Sequence, residues 1–242
     1  LFSFASFLFT LASFAFLLFG LYLMQNPRIA LIHATPVAID PIVSAFKRLW
    51  PAARTTSLLE DSLAPDLTAD GRLTERMTER FITLARYVRG CGADAILFTC
   101  SAFGPAIEAA RAAVDVPVLK PNEAMLEEAL KAGTHIGLMA TFAPSIPALK
   151  QELEELATRK GVKLSIRTSA VPSALAALHD GQPSEHDRLI AAAAAEMGEC
   201  EALILGQFSM ASAAESIPAR AGRKVLTSPA SAVMRLKQVL GA

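Results

Sequence analysis

Cys100 is the residue whose position says most about chemistry. It follows the apolar run Ala95–Phe98 by two residues and leads into Ser101-Ala102-Phe103-Gly104-Pro105, where Pro105 suits the first turn of a helix. A thiol between a strand end and a helix start faces unpaired N–H groups and the positive end of the helix dipole, which favours its thiolate. The same amides could hold a carboxylate. Cys91 and Cys200 precede strands, on the side away from such sites, and read as small buried hydrophobes.

Other small polar groups gather at equivalent places. His33-Ala34-Thr35-Pro36 follows one apolar run and Thr141-Phe142 follows another; Gln207-Phe208-Ser209 follows a third. His33 is a candidate for catalysis or for polar packing. His135 starts a strand and reads as structural, while His179 and His186 lie in a polar stretch that reads as solvated. No glycine-rich phosphate loop, Cys-x-x-Cys or His-Glu-x-x-His occurs, so no metal or cofactor is expected.

These residues need elements to hold them. Ile29–Ile32, Ala95–Phe98, Val116–Leu119, Ile136–Met139, Leu164–Arg167, Leu203–Leu205 and Lys224–Leu226 read as strands. Continuous apolar runs of this kind suit parallel strands buried on both faces. Residues 40–50, 73–89, 105–114, 122–131, 145–160, 185–197 and 231–240 read as helices between them. Ile29 and Ile136, Ile96 and Leu203, and Val118 and Val225 all share a sequence offset of 107. One offset common to three strand pairs, with no gap needed overall, predicts a tandem duplication: two pseudo-symmetric Rossmann-like α/β lobes with parallel sheets. Ligands of such sheets bind beyond the carboxyl ends of the strands, so the site is expected in the cleft between the lobes, with Cys100 opposite Gln207. Residues 24–121 with 228–242 are expected to form the first lobe and residues 122–227 the second.

Composition narrows the classes. The 242 residues carry 23 basic and 23 acidic side chains, for a net charge of zero, which argues against a nucleic-acid partner bound through its phosphates. Three cysteines are too few for a disulfide framework or a four-cysteine zinc site. An apolar fraction of 52% can fill a sizeable core. Residues 1–23 hold no charge and seven of the thirteen phenylalanines. They are expected to lie outside the working protein, which would then be cytoplasmic; the alternative is a membrane anchor, since such a run is long enough to span a bilayer.

Leu31-Ile32-His33-Ala34, Phe98-Thr99-Cys100-Ser101, Val118 to Ala124, Ile136 to Thr141 and Leu205 to Met210, in that order and spacing, resemble the aspartate/glutamate racemase superfamily. That group includes hydantoin racemases, maleate isomerases and arylmalonate decarboxylases. The resemblance implies cofactor-free chemistry at the carbon next to a carboxylate of a small acid, and often a homodimer. In the racemases two cysteines, one per lobe, flank that carbon. Cys100 matches the first, and the second falls on Gln207, which cannot cycle a proton. The family's early acidic residue falls on His33. Thr141 matches a threonine that helps hold the substrate carboxylate, and Phe142 falls where the decarboxylase has an aromatic. Ser101 and Ser209 flank the two catalytic positions as hydrogen-bond donors, and Thr35 joins the substrate-binding set. Three readings follow: an isomerase or racemase with Cys100 as proton carrier or nucleophile and His33 or water replacing the second cysteine; a one-cysteine decarboxylase; or a non-catalytic carboxylate-binding protein.

Overall fold

The computed structural model describes residues 26–242; the expectations for residues 1–23 lie outside them. Among the described residues no helix is long and apolar enough to cross a membrane.

The chain alternates strands and helices. In order they are β1 (Arg28–His33), α1 (Ile39–Leu49), β2 (Arg54–Leu59), α2 (Leu63–Asp70), α3 (Glu75–Gly90), β3 (Ala95–Phe98), α4 (Gly104–Ala112), β4 (Val118–Leu119) and α5 (Glu123–Ala132). The second half repeats the pattern as β5 (His135–Ala140), α6 (Ser145–Arg159), β6 (Ser165–Ala170), α7 (Pro172–His179), α8 (Pro183–Glu196), β7 (Ala202–Leu205), β8 (Lys224–Thr227) and α9 (Ser228–Val239). Short 3-10 segments cover Pro36–Ala38, Ser101–Phe103 and Phe208–Ser216. The strands form two parallel sheets with the same order, β2-β1-β3-β4 and β6-β5-β7-β8. The registers correspond as well: Ile96 pairs with Val118, and Leu203 with Val225.

Local chemistry explains the helices. Along α3, Met77, Phe81, Ala85 and Val88 fall on one buried stripe, the spacing an amphipathic helix requires. Thr74 caps it by accepting the Met77 N–H at 3.3 Å. Thr227 caps α9 through the Ala230 N–H at 3.4 Å, with Pro229 in the first turn.

Each sheet is covered on both faces. Phe81, Phe98 and Phe103 pack with Ala30 and Ile32 on one face of the first sheet. Ile29, Leu31, Phe46 and Trp50 fill the other face together with Ala232, Val233 and Leu236 of α9. In the second sheet Ile136, Leu138 and Ile204 pack against Met125, Leu126 and Ala129 of α5. The helix after each sheet's last strand therefore covers the other sheet, and α5 and α9 cross between the lobes. Hydrogen bonds fix that crossing: the buried Ser228 hydroxyl donates to Asn122 Oδ1 at 2.7 Å, and Ser231 donates to the partly buried Glu128 at 2.8 Å.

Several expectations need correction. The edge strand β2 and the eight-residue helices α2 and α7 are absent from the hydropathy reading, and β4 is two residues rather than four. The offset holds for the three strand pairs that carried it, but the edge strands depart from it: β2 begins at Arg54 and β6 at Ser165, further apart than the central strands by one helical turn. The extra turn lies in α6, which has 15 residues where α1 has 11. Cys91 is exposed rather than buried. His186 is buried, with Nδ1 2.7 Å from Asp187 Oδ1, so it is not a solvated residue.

Candidate active site

Both sheets end their central strands toward the same cleft. A cavity of about 380 Å³ is lined by Ser101 and Ala102 from the first lobe and by Gly206, Ser145 and Glu152 from the second, with Asn122 between them. A second cavity, of about 540 Å³, is lined by Ser44 and Arg48 of α1, Phe208 and Ser209 of the second lobe, and Pro229. The two are related by the repeat. Its offset carries Ser101 onto Phe208, Ala102 onto Ser209, Ser44 onto Gln151, and Asn122 onto Pro229. The repeat also puts Cys100 and Gln207 at matching places, two residues beyond the ends of β3 and β7.

Cys100 precedes the 3-10 turn Ser101–Phe103, and its sulfur accepts from the Ala102 N–H of that turn. The helix α4 starts only at Gly104. The expectation of a favoured thiolate is therefore overturned. Burial pushes the Cys100 thiol above its ordinary pKa, and the hydrogen bond from the Ala102 N–H offsets this only in part. At neutral pH the side chain is a thiol, and it carries a proton.

His33 ends β1 and is fully buried. Its Nδ1 lies 2.9 Å from Thr99 Oγ1 and its Nε2 3.3 Å from Ser57 Oγ. Thr99 also donates toward the Ile32 carbonyl at 3.4 Å. That donation makes Thr99 Oγ1 the acceptor of an Nδ1–H and leaves Nε2 to accept from Ser57. Burial lowers the His33 pKa to about 4, so the ring is neutral, with both nitrogens engaged. Ser57 escaped the sequence reading because it lies on the unrecognised β2. Thr99 was visible as a strand-end residue, but nothing in the sequence paired it with His33.

Gln207 is held more firmly still. Its Oε1 accepts from the Thr141 N–H at 2.6 Å, the Thr141 hydroxyl at 2.7 Å and the Phe142 N–H at 3.2 Å. Two of these are backbone donors, so the amide oxygen must be the inward atom. Thr141 is fully buried and Phe142 is half-exposed. Thr35 and Ser209 are half-buried and Ser101 is exposed at the cavity rim. The structure thus joins Thr141, Phe142 and Gln207 in one cluster and ties His33 into another with Thr99 and Ser57. Among the described residues no group of histidine, cysteine and carboxylate side chains is arranged to hold a metal ion.

The cleft mouth carries charge on its flank. Glu108 bonds Lys120 at 2.8 Å, and Arg111 reaches Glu108 and Glu123 at 3.0 and 2.5 Å. Glu152, facing this group from α6, is pushed above the usual carboxylate range by burial. These basic groups are already paired with carboxylates.

The family model for Asp/Glu/Hydantoin racemase matches residues 32–236, both lobes and the cleft. The chain belongs to this family. Solved members and relatives share the fold at low sequence identity. Glutamate racemase RacE1 from Bacillus anthracis is 16% identical with a TM-score of 0.60, covering 90% of this chain and 82% of its own. Allantoin racemase from Klebsiella pneumoniae is 18% identical with a TM-score of 0.60, covering 89% and 88%. Unliganded arylmalonate decarboxylase is 16% identical with a TM-score of 0.60, covering 90% and 94%. No curated protein sequence matches the chain. As an Asp/Glu/Hydantoin racemase family protein, it combines the two-lobed frame with a cysteine after β3 of the first lobe and an anchored glutamine after β7 of the second.

Proposed function

We propose that this family member is a cofactor-independent enzyme acting at the carbon next to the carboxylate of a small acid, with Cys100 as its one proton carrier. The observation that carries this reading is the anchoring of Gln207, whose amide can hold an oxygen but cannot return a proton to the far face of the substrate. His33 does not fill that gap. Its ring is neutral, and both nitrogens are engaged by Thr99 and Ser57, so it positions the end of β1 rather than moving protons.

A buried thiol that keeps its proton suits protonation better than attack. In the lyase form of the reaction, the bond between the α-carbon and one carboxylate of a substituted malonate breaks. Carbon dioxide leaves, and the electron pair stays as an enediolate. Cys100 gives its proton to one face of that carbon, and the resulting thiolate regains a proton from water. Donors already in place around the cleft, among them Ser101, Ser209 and the strand-end amides, stabilise the enediolate charge without reorganisation. Isomerisation by thiolate addition to a double bond is the second reading. It uses the same single sulfur, but starts from the ionised form that burial disfavours. Three free cysteines accord with a cytoplasmic, reducing setting.

The test is turnover in deuterium oxide with substituted malonates, maleate and amino acids. Malonates should yield carbon dioxide and a monoacid with one deuterium in a single configuration. Cys100→Ala and Cys100→Ser should each lower the rate by about 10²–10⁴-fold with folding intact. Amino-acid α-proton exchange with inversion at comparable rates would refute the one-thiol reading, and tight carboxylate binding without any turnover would identify a binding protein.

A further inference from the structure

The two halves of the cleft are built alike but are not in the same state. In the second lobe, β5 ends at Ala140, and the next two backbone N–H groups, of Thr141 and Phe142, converge with the Thr141 hydroxyl on one sp² oxygen, Gln207 Oε1. Three donors within 2.6 to 3.2 Å of a single oxygen form the environment a carboxylate oxygen seeks. The second-lobe nest is complete, and the chain itself fills it.

The repeat places Ala34 and Thr35 in the first lobe where Thr141 and Phe142 stand in the second. Gln207 corresponds to Cys100, whose sulfur is bonded by the Ala102 N–H of its own turn. Among the described residues, neither the Ala34 nor the Thr35 N–H donates a hydrogen bond, although Ala34 is only 3% exposed. Buried backbone N–H groups without an acceptor are rare in folded proteins and costly to keep. Ala34 carries such a group, next to the half-buried Thr35 N–H and on the strand beside the one that leads to Cys100, which points to an acceptor supplied from outside.

We infer that the ligand's carboxylate docks on the Ala34 and Thr35 amides, on the Cys100 side of the cleft, and that Gln207 is an internal ligand closing the equivalent nest on the other side. The site then holds one carboxylate in a fixed orientation. With Oε1 engaged, Gln207 has its Nε2 group free to donate, since among the described residues it has no hydrogen-bond partner. That group can donate to a second oxygen of the ligand, the departing carboxylate of a malonate included. This inference rests on the proposed function only for the ligand's being a small carboxylic acid.

The experiment is a titration of the ¹⁵N-labelled protein with acetate, following assigned backbone amides. In the wild type, Ala34 and Thr35 should shift saturably while Thr141 and Phe142 stay in place. Gln207→Ala should bring the Thr141 and Phe142 amides into the response and raise the acetate stoichiometry from one to two. Gln207→Glu, which keeps the nest filled with a side-chain oxygen, should respond as the wild type does. Silent Ala34 and Thr35 amides, or saturable Thr141 and Phe142 shifts in the wild type, would overturn the inference; the wild-type spectra decide this even if Gln207→Ala does not fold. Acetate binding of the expected kind without Cys100-dependent deuterium incorporation would refute the proposed reaction and leave the docking site standing.

Discussion

Replacing His33 with glutamine should remove a pH dependence of stability that the buried imidazole creates. The ring's pKa falls from 6.5 to about 4 because burial penalises the charged form. Between those values the unfolded chain holds one more proton than the native chain, so stability rises with pH across that window, by up to about 1.4 kcal/mol per pH unit. The contribution is complete above pH 6.5 and is lost as pH falls toward 4. Over about 2.5 pH units it amounts to roughly 3 kcal/mol, at about 1.36 kcal/mol per unit. His33→Gln leaves Thr99 and Ser57 an amide to bond and removes the titration; carboxylates that titrate below the window cancel in the comparison. Trp50, the only tryptophan and 3% exposed, reports urea unfolding by fluorescence. Wild type should lose about 3 kcal/mol more than the variant between pH 6.5 and 4. Equal slopes, or an NMR titration of the His33 ring with a midpoint near 6.5, would refute a buried neutral imidazole and restore His33 as a candidate proton carrier.

Thiol labelling at pH 7 should modify exposed Cys91 first and leave Cys100 behind, with Cys100 gaining as pH rises; Cys100 labelling first would mean that its sulfur is ionised. Gly206→Ala should cost about 1–3 kcal/mol, because the new methyl would lie 2.7 Å from Leu149 Cδ2 and 2.9 Å from the Met139 carbonyl oxygen; a neutral result by chemical denaturation would show that the end of β7 can give way. Phe81→Ala should cost about 3–5 kcal/mol, since its ring centroid lies 5.1 Å from that of Phe98 and 4.8 Å from that of Phe103 in the first-lobe core. A loss below about 1 kcal/mol, well under the usual cost of such a truncation, would place that cluster outside the stability-determining core.

Hydropathy revealed what is buried on both sides. Ile29–Ile32, Ala95–Phe98 and Leu203–Leu205 stand out because parallel central strands have no polar face. Edge strand β2, Arg-Thr-Thr-Ser-Leu-Leu, has no fully buried residue, so its sequence carries no apolar run to detect. Its counterpart β6 was visible only through Leu164 and Ile166. The repeat offset survives because the central strands keep register, while an insertion of one helical turn in α6 is absorbed before β7. The site was legible at the level of position: Cys100, Thr141 and Gln207 all stand at strand ends. Their state was not. Whether a thiol at a strand end ionises depends on how deeply the following turn buries it, and a 3-10 turn offers fewer free amides than the helix that Pro105 suggested. The bonds from Thr141 and Phe142 to Gln207 join groups far apart in sequence, on neighbouring strands, a pairing no local pattern encodes.

The duplicated frame and the broken symmetry of its cleft have separate physical origins. The frame depends on burial: matching apolar strands and exchanged helices α5 and α9 stabilise both lobes whatever stands at the strand ends. The cleft residues make little of that core, so the repeat could diverge there at small cost in stability. Gln207 used that freedom in a specific way. A cysteine in its place would leave the Thr141 and Phe142 donors open and set a second sulfur against the first. The longer amide instead folds back to satisfy three donors, which in the proposed reaction leaves one open nest and one proton carrier. In the proposed reaction, one-sided chemistry and a one-sided ligand orientation would both follow from the same three hydrogen bonds. A protein that protonates one face of a planar intermediate requires that combination, because the product's configuration depends on the intermediate's being held in one orientation toward a single proton source.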